Sequence, residues 1–185
     1  AIMLATAPPR EASRVGTIGT GCSYELDTWS GTLTIYPTDG ASGEMARVRD
    51  ALSDDGDLLD AIRSVTVKEG VVAPADSSYL FGSLRAMESL DLSGLDTSRT
   101  TDMRGMFWGC SSLSSLTVGE GCGDVLSTDR HTALPAGVGS RGWHSERDKR
   151  WFTLSELSSS RQGVADTYTA PEVWRSLVQA TPASP

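Results

Sequence analysis

The sequence predicts an α+β chain: a short solenoid of stacked repeats, closed at both ends by β-rich caps. Three observations predict it. Segments IRSVTVKEG (62–70), MESLDLSGL (87–95) and LSSLTVGEG (113–121) share an apolar-x-x-apolar-x-apolar core. Equivalent positions lie 25 residues apart from Val65 to Leu90 and 26 from Leu90 to Leu116. Leu80-Phe81 and Met106-Phe107 recur at the same 26-residue spacing. A period of this length with a three-residue core belongs to the leucine-rich class of repeats, here about two and a half copies of 25–26 residues.

The elements follow in order. Residues 1–14 lack periodicity and read as a disordered lead-in. Residues 15–61 form the expected N-terminal cap, with strands at YEL (24–26) and TLTIY (32–36) and turns at Gly31 and TDGASG. EMARVRDAL then reads as a short helix and SDDGD as an acidic turn. Residues 62–121 are the repeats. Residues i and i+2 of a short strand face the same side, so Leu90 and Leu92 point inward while Asp91 points out. Met103, Met106 and Phe107 at i, i+3, i+4 suit one helical or 3₁₀ turn that returns the chain over the core. The Asn or Cys ladder common in such repeats has no counterpart: the equivalent positions are Val71 or Gly70 and Leu95, and the chain contains no Asn.

Residues 122–170 form the expected C-terminal cap. It comprises a Gly-, Ser- and Thr-rich loop over 122–140, strands near 141–145 and 149–153, a helix from LSELSSS, and a last strand at Thr167–Thr169. Trp143 and Trp151 are expected to pair across the hairpin. Residues 171–185 read as a tail. With fewer than the roughly three repeats that usually stand alone, the caps must cover the exposed strand edges.

The stretch LDLSGLDTSRTTDMRGMFWGCSSLSSLTVGEG (90–121) resembles the tandem repeat of BspA-type leucine-rich repeat surface proteins of bacteria. GTLTIYPTDGASG (31–43) resembles the strand region before those repeats, and GWHSERDKRWFTLSEL (142–157) with DTYTA (166–170) resembles the segment that closes them. The resemblance covers roughly residues 16–170. It implies export to a bacterial cell surface and adhesion to host or neighbouring-cell proteins or glycans.

Composition narrows the function. The formal charge is −8 with a pI near 4.7, which disfavours nucleic acid and anionic membrane surfaces, since both select positive faces. No run approaches the roughly 20 apolar residues of a membrane span. The chain opens at Ala1 rather than Met, which suggests a mature product or an excised piece. Cys22, Cys110 and Cys122 have no zinc spacing, and GxSxG, P-loop and HExxH motifs are absent. Asp50, Asp54, Asp55, Asp57 and Asp60 form the densest carboxylate group, but without EF-hand spacing they read as a solvated turn. No metal, cofactor or catalytic residue is therefore assigned. A hydrolase built on Cys122, Asp129 and His131 is a weaker alternative, and a structural spacer within a larger surface protein is another.

The candidate binding surface is the outward grid of the repeats: Ser64, Thr66 and Lys68; Ser89, Asp91 and Ser93; Ser115 and Thr117. It is polar, with small side chains and no aromatic anchor. Trp108 is added to it, because it follows Met106-Phe107 where the preceding repeat has Gly82. Trp108 is either a core filler or an exposed aromatic.

Overall fold

The computed structural model describes residues 13–54, 56–135 and 142–170. Most of the expected lead-in, the 171–185 tail, part of the 122–140 loop and Asp55 lie outside them. Arg14, assigned to the lead-in, stands in the first strand.

Among the described residues twelve strands form two sheets. The N-terminal strands are β1 (Arg14–Thr17), β2 (Cys22–Asp27), β3 (Thr32–Pro37) and β4 (Gly43–Glu44). After the short helices α1 (Val48–Ala51) and α2 (Gly56–Ala61) come β5 (Ser64–Val67), β6 (Val71–Val72), β7 (Ser89–Leu92), β8 (Leu95–Asp96) and β9 (Ser115–Val118). Two 3₁₀ segments follow, Glu120–Leu126 and Thr128–Arg130. The chain then forms β10 (Trp143–Ser145), β11 (Arg150–Phe152), α3 (Leu154–Ser160) and β12 (Asp166–Thr169).

The main sheet has nine strands in the order β1-β2-β3-β5-β7-β9-β12-β10-β11. Its centre, β3-β5-β7-β9, is parallel and in register: Leu33 pairs with Val65, Val65 with Leu90, and Leu90 with Leu116. The 25- and 26-residue sequence spacings are thus the lateral step from strand to strand. The second sheet, β4-β6-β8, is also parallel, but each strand has only two residues. On a third side the turns bond laterally, Tyr79 N–H to Arg104 C=O (3.0 Å), Phe81 to Met106 (3.0 Å) and Phe107 to Thr132 (2.9 Å).

This corrects the predicted architecture. The molecule is a mixed α/β fold with one large mixed sheet and few helices, not a repeat solenoid closed by separate caps. The reason is backbone pairing. β2 hydrogen-bonds antiparallel to β3 over six residue pairs, and β12 to β9 over four. The flanking segments therefore extend the same sheet instead of covering its edges, and the unpaired edges move outward to β1 and β11.

The core is what period-2 burial dictates. Leu33, Ile35, Val65, Val67, Leu90, Leu92, Leu116 and Val118 alternate inward and are buried. Leu80, Phe81, Met103, Met106 and Phe107 close over them, with the two phenylalanine rings stacked 6.3 Å apart. Residues 104–109 form successive turns closed by i→i+3 bonds, Met106 N–H to Met103 C=O (3.1 Å) and Trp108 N–H to Gly105 C=O (2.8 Å). The Gly-rich segment after residue 119 is not plain loop, because Cys122, Val125 and Leu126 are buried and wind it into a 3₁₀ helix. Trp143 and Trp151 do not pair. The hairpin sets Trp143 opposite Phe152 and His144 opposite Trp151, so Trp143 is buried while Trp151 is 42% exposed.

Candidate functional site

The outward side chains of the main sheet form two rows. One runs Thr32, Ser64, Ser89, Ser115, Thr169, and the other Thr34, Thr66, Asp91, Thr117, Thr167. Nine of these ten positions carry a hydroxyl, and only Asp91 is charged. Thr117 and Thr167 share a hydroxyl hydrogen bond of 2.9 Å across the β9-β12 boundary.

At the carboxyl ends of the parallel strands the face opens into a cleft of about 730 Å³. Of the predicted residues, Thr66, Lys68, Asp91 and Ser93 line it. Ser64, Ser89 and Ser115 do not, since their row lies nearer the amino ends of the strands; Thr117 does not, since it lies one strand beyond Asp91; and Trp108 is on the turn side of the molecule. Glu69, Asp96 and the turn glycines Gly70 and Gly94, all outside the predicted grid, also line the cleft. A Cβ at Gly94 would stand 2.3 Å from the backbone of Lys68, so only glycine lets consecutive turns stack this closely. The crevice beyond the carboxyl ends of parallel strands is a general location for ligands.

Cleft charge is mixed. Lys68 is exposed, and no ion pair holds its ammonium among the described residues. Asp91 accepts from Ser93 N–H at 2.9 Å and Asp96 from Ser98 N–H at 2.8 Å. Hydrogen bonds from the Ser98 backbone and hydroxyl hold the Asp96 carboxyl below the usual carboxylate range. The same local bond recurs at Asp27, Asp39, Asp76 and Asp102, each accepting from the N–H two residues on. Aspartate thus does the turn-making work open to Asn or Asp elsewhere. Much of the acidity is turn chemistry.

Trp108 is 55% exposed, so it is not a core filler. Its ring meets that of Tyr79 edge to face, with centroids 6.3 Å apart and planes at 80°. Tyr79 escaped the sequence reading, although its 26-residue spacing to Gly105 was there to be noticed.

Cys122, Asp129 and His131 do not make a nucleophilic centre. The Cys122 thiol is buried, donates to Leu92 C=O at 3.2 Å, and is pushed up by burial to about 11. A nucleophile needs a lowered thiol pKa and an accessible sulfur. Cys22 and Cys110 are likewise buried and raised, to about 11 and 12. Among the described residues no three His, Cys, Asp or Glu side chains group as metal ligands, and no helix is long and apolar enough to cross a membrane.

A buried polar cluster stands apart from these surfaces. Arg161 donates to Asp148 (2.6 Å), Asp166 (2.7 Å) and the Tyr168 hydroxyl (3.0 Å), and its guanidinium lies 4.9 Å from the Phe152 ring centroid. Ser145 donates to Asp166, which also accepts from Arg147 N–H. Burial alone would raise the Asp166 carboxyl, but bonds from Ser145, Arg147, Thr167 and Arg161 together hold it below its ordinary value. With both Asp166 oxygens engaged and Asp148 exposed at the rim, the cluster ties β10, β12 and the end of α3 together.

Comparison with protein-family models, curated proteins and solved structures found no match for this chain.

Proposed function

We propose that the chain is a non-catalytic recognition module of a bacterial cell surface. It engages host or neighbouring-cell proteins or glycans through the cleft at the carboxyl ends of the parallel strands. One observation carries the reading: Thr66 and Asp91 of neighbouring strands, with Lys68 and Ser93 just beyond them, line the same open cleft. The resemblance of residues 90–121 to BspA-type surface proteins supports the location and the role.

The chemistry of the cleft selects the kind of partner. Hydroxyls, one ammonium and carboxylates in an open depression reward a polar, hydrogen-bonding ligand and offer little to an apolar one. Protein interfaces draw most of their energy from Trp, Tyr and Arg anchors, and the cleft lining has none. Single-copy affinity is therefore modest, and firm attachment needs several copies acting together.

The test is binding of the 1–185 chain to an array of extracellular proteins and glycans, with Asp91→Lys alongside. Saturable binding that Asp91→Lys weakens while the melting temperature stays unchanged supports the module. No binding up to about 50 μM, where even weak single-site recognition registers, sinks it in favour of a structural spacer.

A further inference from the structure

On the turn side, Tyr79, Gly105 and His131 stand 26 residues apart in sequence and all adopt left-handed backbone, with φ of 56°, 64° and 52°. Tyr79 N–H bonds to Arg104 C=O (3.0 Å) and Gly105 N–H to His131 C=O (2.8 Å), so the three turns lie side by side. Positive φ is uncommon for a bulky residue and persists only where the surrounding frame imposes it.

The middle position explains the arrangement. A Cβ on Gly105 would come within 2.5 Å of the Tyr79 ring, so that ring lies directly over the bare glycine. The Trp108 ring meets that of Tyr79 in a T-shaped contact, with planes at 80°. The result is a right-angled aromatic corner, with Tyr79 45% and Trp108 55% exposed. Arg104 precedes Gly105 in the chain, accepts from Tyr79 N–H through its C=O and is exposed, and among the described residues no ion pair or hydrogen bond of its guanidinium is found. The nearest carboxylate in sequence, Asp102, is turned to the backbone N–H of Arg104 (2.9 Å). An exposed cation without an ion pair, one residue from the glycine that the Tyr79 ring covers, offers a place for an anion on a chain of net charge −8.

We propose that this corner binds an acidic sugar, a pyranose bearing a carboxylate within an anionic glycan. The C–H face of the sugar ring stacks on the electron-rich aromatic faces, and its carboxylate takes the planar guanidinium fork of Arg104. A rigid, flat ligand suits two rings already fixed, because little is left to order on binding. An apolar peptide anchor would instead need an enclosed pocket, and this corner is open. The site is separate from the cleft and does not depend on it.

The test uses the whole chain with oligogalacturonates and 3′-sialyllactose, followed by tryptophan fluorescence and calorimetry. A neutral galactose oligomer and a poly-glutamate peptide serve as comparisons. Saturable binding of an acidic sugar is expected, about tenfold weaker (1.4 kcal/mol) for Arg104→Gln, for Trp108→Ala and for the neutral oligomer. Arg104→Gln changes only an exposed side chain and leaves the melting temperature unchanged, which keeps the result interpretable if Trp108→Ala disturbs the turn. The proposal is overturned by no saturation up to millimolar sugar, by equal binding of poly-glutamate, or by insensitivity to Arg104→Gln. Binding lost with Asp91→Lys but kept with Arg104→Gln would place the sugar in the cleft, overturning the corner while leaving the recognition module standing.

Discussion

The parallel centre and the C-terminal flank belong to one sheet but are held by different physics. In β3, β5, β7 and β9 every inward side chain short of Pro37 is aliphatic, and each strand meets a neighbour of the same kind. In β10 and β12 the inward positions include Ser145, Asp166 and Tyr168, gathered around the buried Arg161. A repeated unit can stack on apolar area alone, because its neighbour presents a matching surface. A segment used once has no such partner, and here directional, charge-assisted bonds specify how it joins.

The largest effect is expected at the charged cluster. Arg161→Ala leaves Asp166 buried without its cation and should cost about 3–5 kcal/mol in urea denaturation, as removing one partner of a buried pair generally does. In the centre, Leu116→Ala removes a fully buried side chain and should cost about 2–5 kcal/mol through lost burial and a residual cavity. A loss under about 1 kcal/mol for Arg161→Ala would mean the flank, too, rests on apolar packing.

pH separates the two regions further. Asp166 has a folded-state pKa below its unfolded value. Its contribution is therefore present above about pH 4 and lost as pH falls through the folded value. The turn carboxylates Asp76 and Asp96 are also lowered, but solvent screens them and they add little. The thiols behave oppositely. Burial raises Cys22 and Cys122 from 9.0 to about 11 and Cys110 to about 12, so their contribution is complete below pH 9.0 and lost as pH rises through those values. Tyr168 is also raised by burial, so alkali weakens both regions. Acid is the discriminating direction: between pH 5 and 2 the penalty of Arg161→Ala should shrink while that of Leu116→Ala persists. Equal shrinkage in both would break the comparison.

A smaller effect is expected at α3. The Thr153 side chain accepts from Glu156 N–H at 3.2 Å, and Glu156 returns the bond to Thr153 N–H at 2.8 Å. Thr153→Ala should lower stability by about 1 kcal/mol by thermal melting, the usual worth of such a cap.

What was legible in the sequence follows the same division. The strands of the centre could be placed from Val65, Leu90 and Leu116 because each repeats its neighbour's pattern. The inclusion of the flanks in one sheet could not, since β9 and β12 pair across about 50 residues with no local signal for it. The solenoid expectation failed there. Residues 122–140 read as loop because they are rich in Gly, Ser and Thr, although Cys122, Val125 and Leu126 carry helical spacing. Of the candidate surface, the grid residues followed from strand alternation. Their division between cleft and sheet depends on where the turns stack, which Gly70 and Gly94 decide. Tyr79 was missed because a left-handed tyrosine has no signature in composition.

The most direct test of the recognition reading is to titrate the strongest array ligand against wild type, Lys68→Glu and Asp91→Lys at neutral pH, with melting temperatures measured in parallel. The reading predicts that both charge reversals weaken binding about tenfold or more (1.4 kcal/mol or more) with unchanged melting. Undiminished affinity in both variants would contradict it.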